Sequence, residues 1–199
     1  MKRFKALLRS EFVPLLVIVF LVTAVRSTLA DHYHVPSGSM EYSLLVGDRL
    51  VVDKTAYGFR LPYTKIDLLS GDDPARGDVV IFDSPLDGKL LVKRVVAVAG
   101  DEVSLAGGHL LVNGDAVAVP PDNIIEMFDE HVALLNLSSG GGPDILTSRV
   151  PGDMILVLGD HRGNSIDGRY FGFIDKHEVY GRAIAVYYRR GEGFLWNRL

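Results

Sequence analysis

The fold class follows from the run Leu90-Leu91-Val92-Lys93-Arg94-Val95-Val96-Ala97-Val98-Ala99, the most valine-rich strand candidate in the chain. Valine favours an extended backbone, because its branched side chain packs well on a pleated sheet. No glycine or proline interrupts the run, and Gly100-Asp101 follows it directly. The run therefore predicts a long β-strand that ends in a turn.

Shorter apolar runs of the same kind recur between Asp31 and the C-terminus. Glycine and aspartate, which suit tight turns, bound most of them. Asn113-Gly114 lies between two of the runs and is typical of a two-residue hairpin turn. The pattern predicts a mainly β domain with antiparallel connections. The runs are Leu50–Val52, Val79–Phe82, Leu110–Val112, Ala116–Val119, Met154–Leu158 and Ala183–Tyr188.

Two loop-forming sequences enclose a region that resembles an insertion in this β domain. They are Pro120-Pro121 and the Ser/Gly-rich run from Ser138 to Pro143. Between them, a short helix is considered for Ile124–Leu137. We expect a small inserted subdomain at about residues 115–150, within a domain that spans residues 31–199.

The first thirty residues differ from the rest in charge and in apolar length. Four basic residues among the first nine precede Phe12–Val25, which are fourteen residues without a charge. Counted through Ala30, the apolar segment would span roughly 28 Å as a helix, close to the thickness of a bilayer's hydrocarbon core. A retained transmembrane anchor and a cleaved signal peptide both fit, and a buried core helix is a third reading. For the first two, the basic residues keep the N-terminus cytoplasmic and send residues 31–199 across the membrane.

Charge and composition exclude several classes of function. Net charge over the 199 residues is −4, and residues 31–199 hold 16 basic and 24 acidic side chains. Such an acidic body argues against a nucleic-acid partner, which would need a basic face. The chain has no cysteine, which excludes disulfides and thiolate catalysis. His32 and His34 share a strand face, but no third ligand is spaced to complete a metal site, so we expect no metal or cofactor.

Lys93 and Arg94 interrupt the long apolar run with two charges. Neighbouring side chains on a strand face opposite ways, so at least one of them lies among apolar residues unless the strand is an edge strand. Burial lowers the pKa of a lysine, and the neutral amine is then a competent general base. Arginine stays protonated and cannot take this role. Lys93 is therefore the candidate base, with Arg94 pointing outwards; a lysine on an exposed edge strand is the alternative.

Ser37-Gly38-Ser39-Met40 is a second candidate for chemistry. Glycine allows a sharp turn that can expose one hydroxyl and aim neighbouring N–H groups at one point. An ordinary linker between the N-terminal segment and the β domain has a similar composition. Ser39 lies nine residues past Ala30, so even a fully extended chain would place it at most about 30 Å from the end of the N-terminal segment. If the N-terminal segment is retained in a membrane, Ser39 acts near the membrane surface.

The third candidate is the polar loop Gly159–Gly172, which follows the predicted strand Met154–Leu158. A calcium-binding loop is excluded by spacing, because Arg162 and Phe171 stand where oxygen ligands are required. A plain surface loop is an alternative interpretation that remains open. As a functional loop, it offers the Ser165 hydroxyl to orient the lysine amine and an Asp167–Arg169 ion pair to stiffen the backbone.

These three segments, in this order, resemble the motifs of type I signal peptidases, the bacterial leader peptidases. Pro36–Met40 resembles their nucleophile motif, and Val92–Val96 resembles their lysine motif. The run from Gly159-Asp160 through Asn164 to Tyr170 resembles their Gly-Asp-Asn-Arg-Asp-Asn-Ser-x-Asp-Ser-Arg box. The resemblance runs from about residue 12 to residue 186.

The resemblance implies a membrane-bound serine endopeptidase that removes N-terminal signal peptides from preproteins through an acyl-enzyme. It implies Ser39 as nucleophile, Lys93 as general base, and the Ser37 hydroxyl and Ser39 amide as the oxyanion hole. It further implies a supporting and a substrate-binding set, a single retained anchor in the bacterial plasma membrane, and substrates with small residues one and three positions before the cut. The supporting residues are Asn164, Ser165, Asp167 and Arg169, and those expected to pair with the substrate are Val35, Leu91 and Val92.

Four residues depart from the family pattern without removing a catalytic group. Tyr42 replaces a proline, His161 and Gly163 replace Asn and Asp, and Gly168 replaces Ser. The two glycines predict a looser loop. His161 also offers an alternative base, in a Ser-His-Asp hydrolase completed by Asp160 or Asp167. A non-catalytic, membrane-tethered β module is the alternative from another class.

Overall fold

Antiparallel strands are the predominant secondary structure in the computed structural model, which describes residues 12–19, 30–60, 67–121 and 123–199. The expectation of a mainly β, antiparallel fold is confirmed. In chain order the strands are β1 (Ala30–His34), β2 (Arg49–Asp53), β3 (Gly58–Arg60), β4 (Asp67–Ser70), β5 (Val79–Asp83), β6 (Leu90–Val98), β7 (Glu102–Ala106), β8 (His109–Val112), β9 (Asp115–Ala116), β10 (Ala118–Val119), β11 (Ile125–Phe128), β12 (His131–Leu134), β13 (Ile145–Arg149), β14 (Met154–Leu158), β15 (Ile174–Asp175), β16 (Val179–Arg189) and β17 (Gly193–Arg198).

The largest sheet has the strand order β1-β2-β16-β5-β6-β14-β15, and β17 pairs with β16. β6 is central, and it pairs antiparallel with β5 on one side and β14 on the other. Six consecutive residues of β6, from Val92 to Ala97, are buried. A strand buried on both faces reads as a continuous apolar run, which is why the valine-rich sequence lacks alternation.

Three smaller sheets accompany it, with the orders β13-β7-β8-β9, β10-β11-β12 and β3-β4. Apolar residues of β7 and β8, such as Leu105 and Leu110, pack with Ala97 of β6 and Leu156 of β14 in one core cluster. That cluster also contains Phe128 of β11, so it ties all but the β3-β4 sheet together. Burial of this apolar area supplies the main drive for the arrangement.

Short helical segments lie at the ends of loops. They are the 3₁₀ turns Gly38–Met40, Arg162–Asn164 and Lys176–Glu178 and the four-residue α-helix Gly168–Phe171.

The expected hairpin at Asn113-Gly114 is confirmed. Val112 pairs with Asp115 and Leu111 with Ala116, and both turn residues have positive φ, at 56° and 88°. The short helix considered for Ile124–Leu137 is wrong, because β11 and β12 form a hairpin there. The three-stranded sheet β10-β11-β12 lies within residues 115–150. β13 lies in that range too, but it pairs with β7, which lies outside it. An independent inserted subdomain stays a prediction.

The predicted N-terminal anchor lies mostly outside the described residues. Residues 13–19 are helical, and the large apolar side chains of Phe12–Val19 are between 49% and 65% exposed. Within the described ranges, no helix has both the length and the apolar character required to cross a bilayer.

Candidate active site

Ser39 lies in the 3₁₀ turn Gly38–Met40, which follows directly on Pro36 and Ser37. Met40 anchors this turn, because its side chain is 1% exposed in a core cluster with Val35 and Leu44. The Ser39 side chain is buried as well, while Ser37 remains exposed. The two serine hydroxyls are 3.4 Å apart, so both face the same small volume.

Lys93 reaches this turn from β6. Its Nζ is 2.6 Å from Ser39 Oγ, across a separation of 54 residues in the chain. The lysine is 2% exposed. The contact joins two of the sequence motifs into one buried amine–hydroxyl pair.

Burial determines the protonation of the Lys93 amine. Desolvation lowers its pKa from 10.5 to about 8, although the nearby carboxylates of Asp167 and Asp160 oppose this shift. At pH 7 about one amine in ten is then neutral, against fewer than one in a thousand for a free lysine. A neutral amine at hydrogen-bond distance from a hydroxyl is the arrangement required for general-base activation of a serine.

Arg94 does not point outwards, and the prediction that it does is wrong. It faces the opposite side of β6 from Lys93, but this face is covered too, and Arg94 is 1% exposed. Its guanidinium binds both carboxylate oxygens of Asp160 and also donates to the carbonyl of Gly77. Ser43 Oγ donates to the same Asp160 carboxylate. This network ties the lysine strand to the start of the loop Gly159–Gly172.

The middle of that loop is held by the predicted pair of Asp167 and Arg169. Arg169 Nε and Nη2 each donate to an Asp167 oxygen at 2.8 Å, and the N–H of Gly159 donates to Oδ2 at 2.9 Å. Burial would raise the pKa of Asp167, but the hydrogen bonds and charge of Arg169 bring it below its ordinary value. Arg169 also donates to the carbonyls of Gly141 and Arg162. The charged pair therefore closes the loop on itself and on the residues of the insertion region.

Asn164 and Ser165 occupy the turn between these two anchors. The Asn164 N–H donates to the carbonyl of His161, and its side chain is exposed. The Ser165 hydroxyl is buried and makes no hydrogen bond with the described residues. Its predicted bond to the Lys93 amine stays a prediction.

His161 faces partners other than the Ser39 hydroxyl. Its Nδ1 is 3.3 Å from the carbonyl oxygen of Gly38 and 3.2 Å from Glu41 Oε2. Its Nε2 is 3.1 Å from Ser139 Oγ. The two carboxylates considered as its triad partner, Asp160 and Asp167, are bound by arginines. A Ser-His-Asp arrangement therefore lacks both of its contacts.

An open edge of β6 borders the Lys93–Ser39 pair. The N–H of Val95 donates to the carbonyl of Asp78, on the side of β6 that faces β5. Successive residues of a strand direct their backbone groups to alternate edges, so those of Val92 point to the edge away from β5. On that edge β14 ends at Leu158, opposite Arg94. Among the described strands, none pairs with Val92 there.

The other two predicted substrate-binding residues are more engaged. Leu91 is half-buried and pairs with Phe82 of β5. Val35 is buried, its N–H donates to the carbonyl of Asp48, and its carbonyl accepts from the N–H of Gly47. A substrate strand at Val35 would have to share its carbonyl or use neighbouring residues.

A family model described as "Signal peptidase, peptidase S26" matches residues 8–188. The chain belongs to this signal peptidase family. It is therefore a hydrolase of the signal peptidase kind.

Two relatives agree with this assignment. A "Probable signal peptidase I-2" from Synechocystis sp. is 32% identical over 177 residues, which cover 85% of this chain and 68% of the relative. A "Signal peptidase I" from Pseudomonas fluorescens is 32% identical over 195 residues, covering 85% and 69%. The crystal structure of a signal peptidase I from Enterococcus faecalis V583 is 28% identical, covers 56% of this chain and 97% of that one, and has a TM-score of 0.41.

Close packing accounts for two of the departures from the signal peptidase pattern. A Cβ on Gly163 would come within 2.1 Å of the Ser139 carbonyl oxygen, and a Cβ on Gly168 within 2.6 Å of Leu156 Cδ1. Glycine permits these approaches, because it has no side chain to exclude the neighbour. The two glycines are therefore positions of tight packing, not of looseness.

One buried ion pair, between the loop Gly159–Gly172 and β11, was not predicted from the sequence. Arg162 is 1% exposed and donates from Nη2 to Oε2 of Glu126, which is fully buried on β11. Burial raises the pKa of Glu126, and Arg162 opposes this shift. The available signal was the alternation of β11, in which Glu126 and Phe128 occupy the inward positions.

Proposed function

We propose that the chain removes N-terminal signal peptides from preproteins by serine-peptidase chemistry with a Ser39–Lys93 dyad. The observation that carries the proposal is the 2.6 Å contact between Lys93 Nζ and Ser39 Oγ, in a place that solvent barely reaches. Membership of the signal peptidase family supports the substrate class.

The reaction begins with the neutral form of Lys93. Its amine accepts the hydroxyl proton of Ser39, and Oγ attacks the scissile carbonyl to form a tetrahedral oxyanion. The Ser39 N–H and the Ser37 hydroxyl donate to this oxyanion, and loss of one such donor typically costs about 100-fold or more in kcat. The lysine ammonium then protonates the leaving amine, which leaves an acyl-enzyme on Ser39.

Deacylation repeats these proton transfers with water as the nucleophile. Neutral Lys93 takes a proton from water, and the resulting hydroxide attacks the ester carbonyl. The ammonium returns its proton to Ser39 Oγ as the carboxylic product departs. Asp167 and Arg169 hold the loop around this pair, and we assign Asn164 and Ser165 to the same supporting set.

The substrate is an extended peptide that adds to the open edge of β6. The backbone groups of Val92, with which no described strand pairs on that edge, offer hydrogen bonds to it, and we assign Leu91 and Val35 to the same substrate-binding set. Alternate side chains of an extended peptide point the same way, so two small residues, one and three positions before the cut, enter adjacent shallow pockets.

A membrane anchor in residues 1–30 belongs to the same proposal, with the N-terminus in the cytoplasm of a bacterium and residues 31–199 on the outer side of the plasma membrane. The exposed apolar side chains of Phe12–Val19 support it, because such a surface requires cover from water. A signal peptide also lies in the bilayer, and confinement of both raises their effective concentration.

The test is cleavage of a model preprotein by the detergent-solubilised full chain and its variants. Ser39→Ala and Lys93→Ala should each abolish cleavage, whereas His161→Ala should leave measurable activity. Cleavage that survives Lys93→Ala and disappears with His161→Ala would refute the dyad. Biological function retained in Ser39→Ala would favour a non-catalytic module.

A further inference from the structure

The peptide group between Gly38 and Ser39 connects His161 to the oxyanion site. Its carbonyl oxygen lies 3.3 Å from His161 Nδ1, and its N–H is the Ser39 amide. We propose that His161 is a positioning residue for the oxyanion hole. Together with the Glu41 N–H, which donates to the same oxygen at 3.2 Å, it holds the Gly38 carbonyl so that the Ser39 N–H, at the opposite edge of the same planar peptide group, points at the developing oxyanion. The inference rests on the proposed role of Ser39 and adds a residue to it.

The partners of Nδ1 determine which ring nitrogen carries hydrogen. Nδ1 faces the Gly38 carbonyl at 3.3 Å and a Glu41 carboxylate oxygen at 3.2 Å. Both groups only accept hydrogen bonds, so Nδ1 must be the donor, in either charge state of the ring. A Cβ placed on Gly38 would lie 3.4 Å from the same Glu41 oxygen, so the three groups are in close contact.

The opposite edge of the ring is fixed by two serines. Nε2 is 3.1 Å from Ser139 Oγ and 3.4 Å from Ser138 Oγ. A hydroxyl can donate to Nε2 of the neutral ring or accept from it in the charged ring, so these contacts hold in both states. The ring is thus held at both nitrogens, with only 5% of the residue exposed.

His161 also holds the peptide on the other side of Ser39. Its backbone N–H donates to the Ser39 carbonyl at 3.1 Å. One residue therefore fixes both planar peptide groups that flank the nucleophile. The backbone contact is open to any residue at this position except proline, whereas the contact with Gly38 depends on the histidine ring.

The ring contact affects the strength of the donor as well as its direction. In a trans peptide the C=O and N–H point in opposite directions within one plane. A hydrogen bond to the carbonyl oxygen polarises the whole group and strengthens the N–H as a donor. His161 thus acts through the Ser39 amide and takes no proton from the substrate.

The test compares His161→Asn with His161→Leu in the full chain. The side-chain amide of asparagine places an N–H close to the position of Nδ1, whereas leucine fills similar volume without a donor. His161→Leu should lower kcat with little change in KM, because the Ser39 N–H binds the oxyanion only in the transition state. The loss should be about tenfold, which is smaller than the effect of removing an oxyanion-hole donor altogether. His161→Asn should keep kcat within about twofold of the parent. If His161→Leu does not fold, His161→Gln replaces it, because its longer amide approaches Ser139 instead of Gly38.

A second measurement detects the polarisation without turnover. The ¹⁵N and ¹H resonances of the Ser39 amide should move in His161→Leu and stay close to the parent in His161→Asn. Unchanged kcat in His161→Leu, or an equal loss in both variants, would overturn the inference, as would an effect confined to KM. Ser39→Ala separates the two proposals: if it still cleaves, the proposed function fails, whatever His161 does.

Discussion

The guanidinium of Arg94 meets the carboxylate of Asp160 through two hydrogen bonds, from Nε to Oδ1 at 2.9 Å and from Nη2 to Oδ2 at 2.8 Å. Both side chains are 2% exposed. Arg94 follows Lys93 on β6, and Asp160 precedes His161, so the pair joins the strand of the proposed base to the loop that contacts the turn at Ser39. It is a structural support on the reverse side of the proposed dyad.

Loss of one member of this pair should destabilise the fold strongly. Arg94→Met leaves the Asp160 carboxylate buried without its cation, and we expect a loss of about 3–5 kcal/mol in the free energy of unfolding. The double variant Arg94→Met with Asp160→Leu should be considerably more stable than either single variant. Urea unfolding of the three proteins measures this, and simple additivity of the two single losses would contradict the coupling.

The pH dependence of cleavage should follow the Lys93 amine. Because only the neutral form accepts the Ser39 proton, kcat/KM should fall about tenfold per pH unit below an apparent pKa of about 8. Lys93→Arg should be inactive across the range, since a guanidinium stays protonated. An acid limb that disappears in His161→Ala would point to the histidine instead.

The same burial makes Lys93 a burden on stability. In the unfolded chain its pKa is near 10.5, so between pH 8 and pH 10.5 the unfolded state binds more protons than the folded state, and stability rises with pH. Below pH 8 the full cost applies, and a pKa shift of this size lowers the free energy of unfolding by about 3 kcal/mol. Lys93→Met should therefore be more stable than the parent at pH 7, and the difference should vanish near pH 10.5. Thermal or urea unfolding at both pH values measures this; a parent that is the more stable at pH 7 would contradict the buried-amine account.

The open edge of β6 can be tested with proline. Val92→Pro removes an N–H that serves no described strand, so the fold should survive while KM for an extended substrate rises several-fold. Leu91→Pro, the matched control, removes a hydrogen bond to β5 and should destabilise the protein. An apparent pKa still near 8 in Val92→Pro would show that Lys93 is undisturbed. Unchanged KM in that variant would exclude substrate pairing at this edge.

Predictions from the sequence were most successful where the local residue types favour one structure or one chemical property. The run Leu90–Ala99 was predicted as a strand, and β6 spans Leu90–Val98. Asn113-Gly114 between two apolar runs predicted a hairpin that the structure confirms. Lysine in that run suggested a lowered pKa, because desolvation acts on an ammonium wherever it is buried. These inferences depend on local chemistry, which a sequence displays directly.

Predictions that depended on long-range partners fared less well. Arg94 was expected to face solvent, because nothing in β6 itself shows that both of its faces are covered. A short helix was considered for Ile124–Leu137, where β11 and β12 form a hairpin. The inward position 126 of β11 holds a glutamate whose partner, Arg162, lies 36 residues away. His161 was considered as a base, and its ring contacts with Gly38 and Ser139 could not be read from spacing.

The proposed active site draws on segments that lie far apart in the chain: the turn at Ser39, β6 at Lys93, β11 at Glu126, and the loop from Gly159 to Arg169. Contacts this distant in sequence require the closure of long loops, and the entropy that this costs slows folding. A newly made chain therefore contains Ser39, the proposed nucleophile, before Lys93, Glu126 and the loop have been synthesised. Proteolytic competence would thus be gained only at the end of folding, which protects the nascent polypeptide and its neighbours from premature cleavage.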